Sequence, residues 1–110
     1  MTLGEDRNIR FLNNRYEVFD PRLPGESKSS VELDLGCGSG GFSLKLAQRY
    51  PERIILASDV MIGRLRKVEK RRSQADVKNV DVLRANNLEL VGYQLPESCI
   101  KRLHILCPDP

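Results

Sequence analysis

A chain of 110 residues, 40% hydrophobic and 30% charged, has room for one small domain with an ordinary buried core. Cys37, Cys99 and Cys107 form no C-x-x-C pair and leave one over, which sets aside a disulfide framework and a zinc site in favour of reduced thiols. The formal charge of +3 is modest, no run approaches membrane-spanning length, and Met1 to Asp6 is polar without an apolar h-region, so the expected compartment is the cytoplasm.

Residues 1–30 read as an N-terminal arm and linker. Arg10 to Phe19 mixes polar, aromatic and basic side chains without a period. Pro21, Pro24, Gly25 and Ser27 to Ser30 then make a turn-rich stretch. A flexible arm and an arm folded over a ligand or RNA both fit.

From Val31 strands and helices alternate. Val31 to Leu35 is the first expected strand, and Gly36, Gly38 and Gly40 follow it in a tight loop. Phe42, Leu46 and Tyr50 recur every fourth residue, giving a helix that Pro51 ends. Ile54 to Ser58 is a continuous apolar strand, as expected when both sheet faces are covered. A helix is expected over Met61 to Ala75, with Ile62, Leu65 and Val68 on its packed face. Val80 to Arg84 is a third strand, Leu88 to Val91 a short helical turn, and Leu95 to Ser98 a further turn. Leu103 to Cys107 is a fourth strand ending at Pro108-Asp109-Pro110. Such alternation with short connections implies a parallel, doubly wound α/β sheet with right-handed crossovers.

The polar residues then gather at one place, because Asp34 to Gly41, Asp59, Asn86 and Asp109 each fall at or just past the carboxyl end of a strand. Ligands of open α/β sheets bind along that edge. The glycines fit two templates: Gly36, Gly38 and Gly41 match G-x-G-x-x-G, and Gly36, Gly38 and Gly40 match G-x-G-x-G. A dinucleotide would bring its pyrophosphate against this loop, where Asp34 would repel it. S-adenosylmethionine has no phosphate and carries two positive groups, so Asp34 suits it better. A glycine-rich turn with no ligand also fits the loop taken alone.

Asp59 can accept hydrogen bonds from ribose hydroxyls or cap the following helix. Asn86 can read an adenine edge beside Met61, Ile62 or Leu88, or simply occupy a turn. Asp109, stiffened by a proline on each side, can orient a substrate or mark a turn. Arg64, Arg66, Lys67, Lys70, Arg71 and Arg72 crowd one helix, which reads as a solvated face or as a phosphate-contacting surface. His104, inside an apolar run, reads as a packed strand position, and nothing in the spacing supports a metal site.

Leu33 to Phe42, Leu56 to Asp59, Leu83 to Leu90 and Arg102 to Pro110 together resemble the bacterial tRNA (guanine-N(7)-)-methyltransferase family, the Pro-Asp-Pro ending above all. The resemblance implies an α/β fold, a Rossmann-like doubly wound parallel sheet of the class I methyltransferase type, truncated after its fourth strand. Residues 31–110 would form an incomplete S-adenosylmethionine-binding domain. The implied cofactor-binding residues are Asp34, Gly36, Gly38, Gly40, Asp59 and Asn86. Asp34 and Asp59 stand where that family usually has Glu, and Asn86 where it often has Asp. Asp109 is the implied catalytic acid that holds the target guanine, and Arg64, Arg66, Lys67, Lys70 and Arg71 the implied tRNA contacts. The chain stops at Pro110, where the family continues, so the expectation is little methyl transfer by this piece alone. A cofactor- or RNA-binding remnant without catalysis and an NAD-binding Rossmann domain are the competing expectations.

Overall fold

The computed structural model describes residues 8–22 and 30–105. Among them, five strands form one parallel sheet: β1 (Ile9–Phe11), β2 (Val31–Leu35), β3 (Ile54–Asp59), β4 (Val80–Arg84) and β5 (Arg102–His104). Their spatial order is β1-β4-β3-β2-β5. Helix α1 (Gly41–Arg49) joins β2 to β3, and α2 (Ile62–Gln74) joins β3 to β4. A short helix α3 (Asn87–Glu89) runs into a π-helical turn over Leu90–Gln94 before β5.

Alternation along the strands sorts side chains onto two faces. Ile55, Ala57, Val80 and Val82 point to one face, where Leu44 and Ala47 of α1 and Leu65 and Val68 of α2 complete a cluster. Leu33, Leu56 and Leu83 point to the other, where Leu12 and Leu90 pack, with Phe19, Leu95 and Ile100 beside them. Both faces are covered, so the sheet is doubly wound as the pattern implied. The chain steps from β2 through β3 to β4 in one direction, then places β5 on the far side of β2. This reversal opens a crevice at the carboxyl ends of β2 and β5, the position where α/β sheets bind ligands.

Helix α2 persists despite its cationic composition because burial outweighs repulsion. Leu65 and Val68 are wholly buried, and each such side chain contributes about 2 kcal/mol. Like-charge pairs four apart, Arg66 with Lys70 and Lys67 with Arg71, each oppose the helix by about 0.2–0.5 kcal/mol.

The structure departs from the sequence pattern at both ends. The arm supplies a fifth strand: Ile9 pairs with Val82 and Phe11 with Arg84, and Ile9 and Leu12 are buried. Three residues are too few to display a period of two, and the strand exists because β4 offers it an edge. The last strand lies at Arg102–His104, while Ile105 is 64% exposed. Residues 106–110, with Cys107 and Asp109, and the linker segment 23–29 fall outside the described residues. The helical turn expected over Leu88 to Val91 extends from Asn87 to Gln94.

His104 is a packed strand residue, with a partner the sequence does not reveal. Its Nε2 lies 2.8 Å from Oε1 of Glu32, a carboxylate only 1% exposed on β2. Arg53 donates to the other oxygen at 2.7 Å, and Phe42 meets the His104 ring edge-on with centroids 5.0 Å apart. Burial pushes the Glu32 carboxyl up, but the bonds from His104 and Arg53 outweigh it and hold the group below its ordinary value. Its contribution is therefore complete above the unfolded-state value and is lost as pH falls through the folded one.

Glu32→Gln should destabilise the chain by about 3 kcal/mol at neutral pH, because it leaves Arg53 and Arg102 without their buried counter-charge. Urea denaturation should show the gap from wild type narrowing as pH falls through the acid range; a gap independent of pH would mean the carboxylate charge contributes nothing.

Candidate functional site

The loop after β2 is built on alternate left-handed backbone. Gly36, Gly38 and Gly40 have φ of 72°, 60° and 84°, a region that disfavours any Cβ. The Cys37 N–H donates to the Ser58 carbonyl at 2.8 Å, so the loop still pairs with β3 as it leaves the sheet. The Gly40 N–H closes the turn on the Cys37 carbonyl at 3.1 Å.

Asp59, 4% exposed at the end of β3, ties this loop to the next helix. One oxygen accepts the Gly38 N–H at 3.0 Å, and the other accepts the Met61 N–H at 2.9 Å, at the start of α2. Met61 is the N-cap of α2 and no side chain caps it, so Asp59 does not take the helix-cap role foreseen for it and instead forms the turn that leads into the helix. Each carboxylate oxygen has a second lone pair for a further donor.

Asp34 lies beneath the loop at 2% exposure. Its Oδ2 accepts the Ser43 hydroxyl at 2.7 Å, which fastens β2 to the first turn of α1. Burial raises its pKa, partly offset by Ser43 and by the nearby His104, and Asp59 adds a further upward push. The same field reaches Cys37, whose thiol is pushed up to about 12 by burial and then by Asp34 and Asp59. Ser43 escaped the sequence reading; its signal was a hydroxyl in the first turn of a helix fed by an acid-bearing strand.

Asn86 caps α3, its Oδ1 accepting the Leu88 N–H at 3.0 Å and the Glu89 N–H at 3.1 Å. Its amide nitrogen takes no part in the cap. Gly36 lies near this turn, since a Cβ on it would be 3.8 Å from Asn87 Nδ2. The ends of β2, β3 and β4 therefore converge. Met61 and Leu88 flank them at 54% and 85% exposure, while Ile62 packs against the core.

Arg64, Arg66, Lys67, Lys70 and Arg71 are all exposed along α2. Arg72 instead pairs with buried Glu69 at 2.6 Å and donates to the Val77 carbonyl. Among the described residues, no group of three or more His, Cys, Asp or Glu could hold a metal ion, and no helix is long and apolar enough to cross a membrane. Asp109 lies outside the described residues. Two cavities of about 550 Å³ border the opposite apolar cluster, one between Phe19 and Asp81 and the other between Leu95 and Leu103.

Residues 28–110 match the family described as "Putative methyltransferase". A tRNA (guanine-N(7)-)-methyltransferase of Syntrophotalea carbinolica is 34% identical over 84 residues, covering 76% of this chain and 36% of that protein. One from Neisseria gonorrhoeae is 31% identical over 117 residues, covering 100% of this chain and 49% of its own length. The chain thus spans less than half of these curated relatives. A structure of PKMT2 from Rickettsia typhi in complex with AdoHcy aligns at a TM-score of 0.49 and 23% identity, over 69% of this chain and 16% of that one.

Two loop glycines should respond differently to a methyl group. At Gly40 a Cβ would lie 2.7 Å from Val68 Cγ2, whereas at Gly38 nothing lies within 4 Å. Gly40→Ala should therefore destabilise by about 2–4 kcal/mol, combining left-handed strain with overpacking, and Gly38→Ala by about 1–2 kcal/mol from strain alone. Equal losses in thermal melts would contradict the contact with α2.

Proposed function

The chain belongs to the methyltransferase family it matches over residues 28–110, and on that premise we propose that its loop and strand ends bind S-adenosylmethionine and serve methyl transfer to N(7) of a guanine in tRNA. The observation that carries the reading is the Asp59 carboxylate, bonded to the Gly38 N–H within a wall that also holds Asp34. A phosphate in this loop would meet two carboxylates and find the Gly38 amide already engaged. A ligand with positive ammonium and sulfonium groups is favoured by the same charges. The dinucleotide reading is correspondingly weak.

Each station has a role in this reading. Gly36, Gly38 and Gly40 let the backbone approach the amino-acid portion without side chains in the way. Asp59 uses its remaining lone pairs on the ribose hydroxyls. The turn at Asn86, with Met61 and Leu88, borders the adenine. Asp34 supplies negative charge from below. Exposed cations of α2, Lys67 and Lys70 among them, contact phosphates of tRNA, the substrate in the names of the similar proteins.

When bound, S-adenosylmethionine supplies a methyl group activated by the sulfonium. Guanine N(7) attacks with an unshared electron pair and has no proton to lose, so no general base is required. Positive charge then grows on the purine, and a fixed carboxylate beside it lowers the barrier; Asp109 has that role by resemblance. The remaining work is alignment of the two ligands.

Calorimetric titration of the chain with S-adenosylhomocysteine and with NADH tests the pocket. Binding of the first and not the second is expected, and the reverse would overturn the reading. Asp59→Ala should weaken S-adenosylhomocysteine by about 1.5–3 kcal/mol, the worth of hydrogen bonds to a charged group. For tRNA, Lys67→Ala and Lys70→Ala should each reduce the slope of log affinity against log salt by about 1. Filter binding at graded salt measures this, and unchanged slopes would remove α2 from the RNA surface.

A further inference from the structure

Helix α2 carries Arg64, Val68 and Arg71 at the i, i+4, i+7 spacing that lines side chains along one stripe. Each meets a different part of the glycine loop or its anchor. Arg64 Nη1 lies 3.8 Å from Asp59 Oδ2, the oxygen that accepts the Gly38 N–H. Val68 occupies the space left by the missing Cβ of Gly40. Arg71 Nη1 donates to the Ser39 carbonyl at 3.3 Å. Two of the contacts fall on the loop itself, at Ser39 and Gly40, and the third on Asp59, whose carboxylate holds Gly38.

We infer that this stripe clamps the glycine loop in its binding conformation, with Arg64 and Arg71 acting as positioning residues for the cofactor pocket and not as phosphate contacts. The inference rests on the reading of the loop as the S-adenosylmethionine site. It divides the basic helix into two parts. Arg64 and Arg71 turn toward the loop, while Arg66, Lys67 and Lys70, exposed on the same helix, form the RNA-facing part. The division has a physical motive. A loop with glycine at three of its five positions has more backbone freedom to lose than one with side chains there, so external contacts narrow its ensemble before a ligand arrives. Arg64 also balances the charge of Asp59 without taking the lone pairs a ribose would need, since 3.8 Å is an electrostatic contact longer than a hydrogen bond.

Amide hydrogen exchange by NMR on the ligand-free chain tests the clamp directly. In Arg64→Gln and Arg71→Ala, the Gly38 and Gly40 amides should exchange about two- to fivefold faster, the range expected for losing one exposed charged contact. Lys67→Ala should leave those amides at wild-type rates, and the Leu33 and Ala57 amides should not change in any variant. Arg71→Lys should restore only part of the protection, because an ammonium lacks the planar fork of guanidinium. Unchanged loop exchange in both arginine variants would overturn the clamp, as would equal acceleration in Lys67→Ala.

Binding measurements separate this claim from the reading beneath it. S-adenosylhomocysteine affinity should fall about two- to fivefold in each arginine variant while the salt slope of tRNA binding stays at its wild-type value. Normal affinity with a reduced salt slope would make both arginines phosphate contacts and end the proposal. If the wild-type chain binds no S-adenosylhomocysteine but its loop amides respond as stated, the clamp stands and the cofactor assignment falls.

Discussion

The carboxylate of Asp59 sits at the end of β3 with one oxygen on the Gly38 N–H and the other on the Met61 N–H. A buried carboxylate needs donors, since desolvation without them costs several kcal/mol. Here the donors come from the loop that precedes α1 and from the turn that begins α2. The backbone of Asp59 takes part as well, its carbonyl accepting the Ala85 N–H at 3.2 Å just beyond β4. One residue thereby fixes the relative positions of three strand ends, and the conformation of the glycine loop follows from it.

Strand β2 carries the complementary constraint. Glu32 and Asp34 stand two apart and so share the helix-covered face, in the middle of a sheet. Left alone, each would be a buried charge without compensation. Arg53 and His104 answer Glu32, and Ser43 answers Asp34. These pairings join β2 to the start of β3, to β5 and to α1, so the polar residues help fix the register of this interior strand. They also leave the loop in a negative field, which adds to burial in raising the thiol of Cys37. The structure and the proposed ligand preference share one electrostatic cause.

The cationic helix shows how one element can serve core, loop and solvent together. Leu65 and Val68 bury its inner face, and Glu69, itself buried, recruits Arg72 and Asn8 on the flank away from the loop. What remains outward is a run of positive charge with a geometry set by the packed residues between. The proposed phosphate surface thus has a fixed orientation relative to the loop. The two parts of the proposed reaction, methyl donor and RNA, are brought together by that fixed orientation.

Strands β2, β3 and β4, the positive φ of Gly36, Gly38 and Gly40, and the packing of Leu65 and Val68 could be read along the chain, because period and glycine placement act over a few residues. β1 could not, since three residues carry no period and its pairing depends on β4. The partnership of Glu32 with His104 spans 72 positions and exists only because the strand order reverses beside β2. Asn86 read as an adenine contact or a turn residue, and the fold uses its oxygen to cap α3 while its amide nitrogen takes no part in the cap. The run from Arg64 to Arg72 read as one cationic face, and the fold assigned its members to Asp59, to Ser39 and to Glu69. The sequence by itself determined the elements from β2 to β4 and which strand ends carry polar residues, because those properties are local. Only the tertiary structure decided which acids are buried, which cations answer them and which remain outward, because charge pairing depends on distances that strand order and helix rotation set.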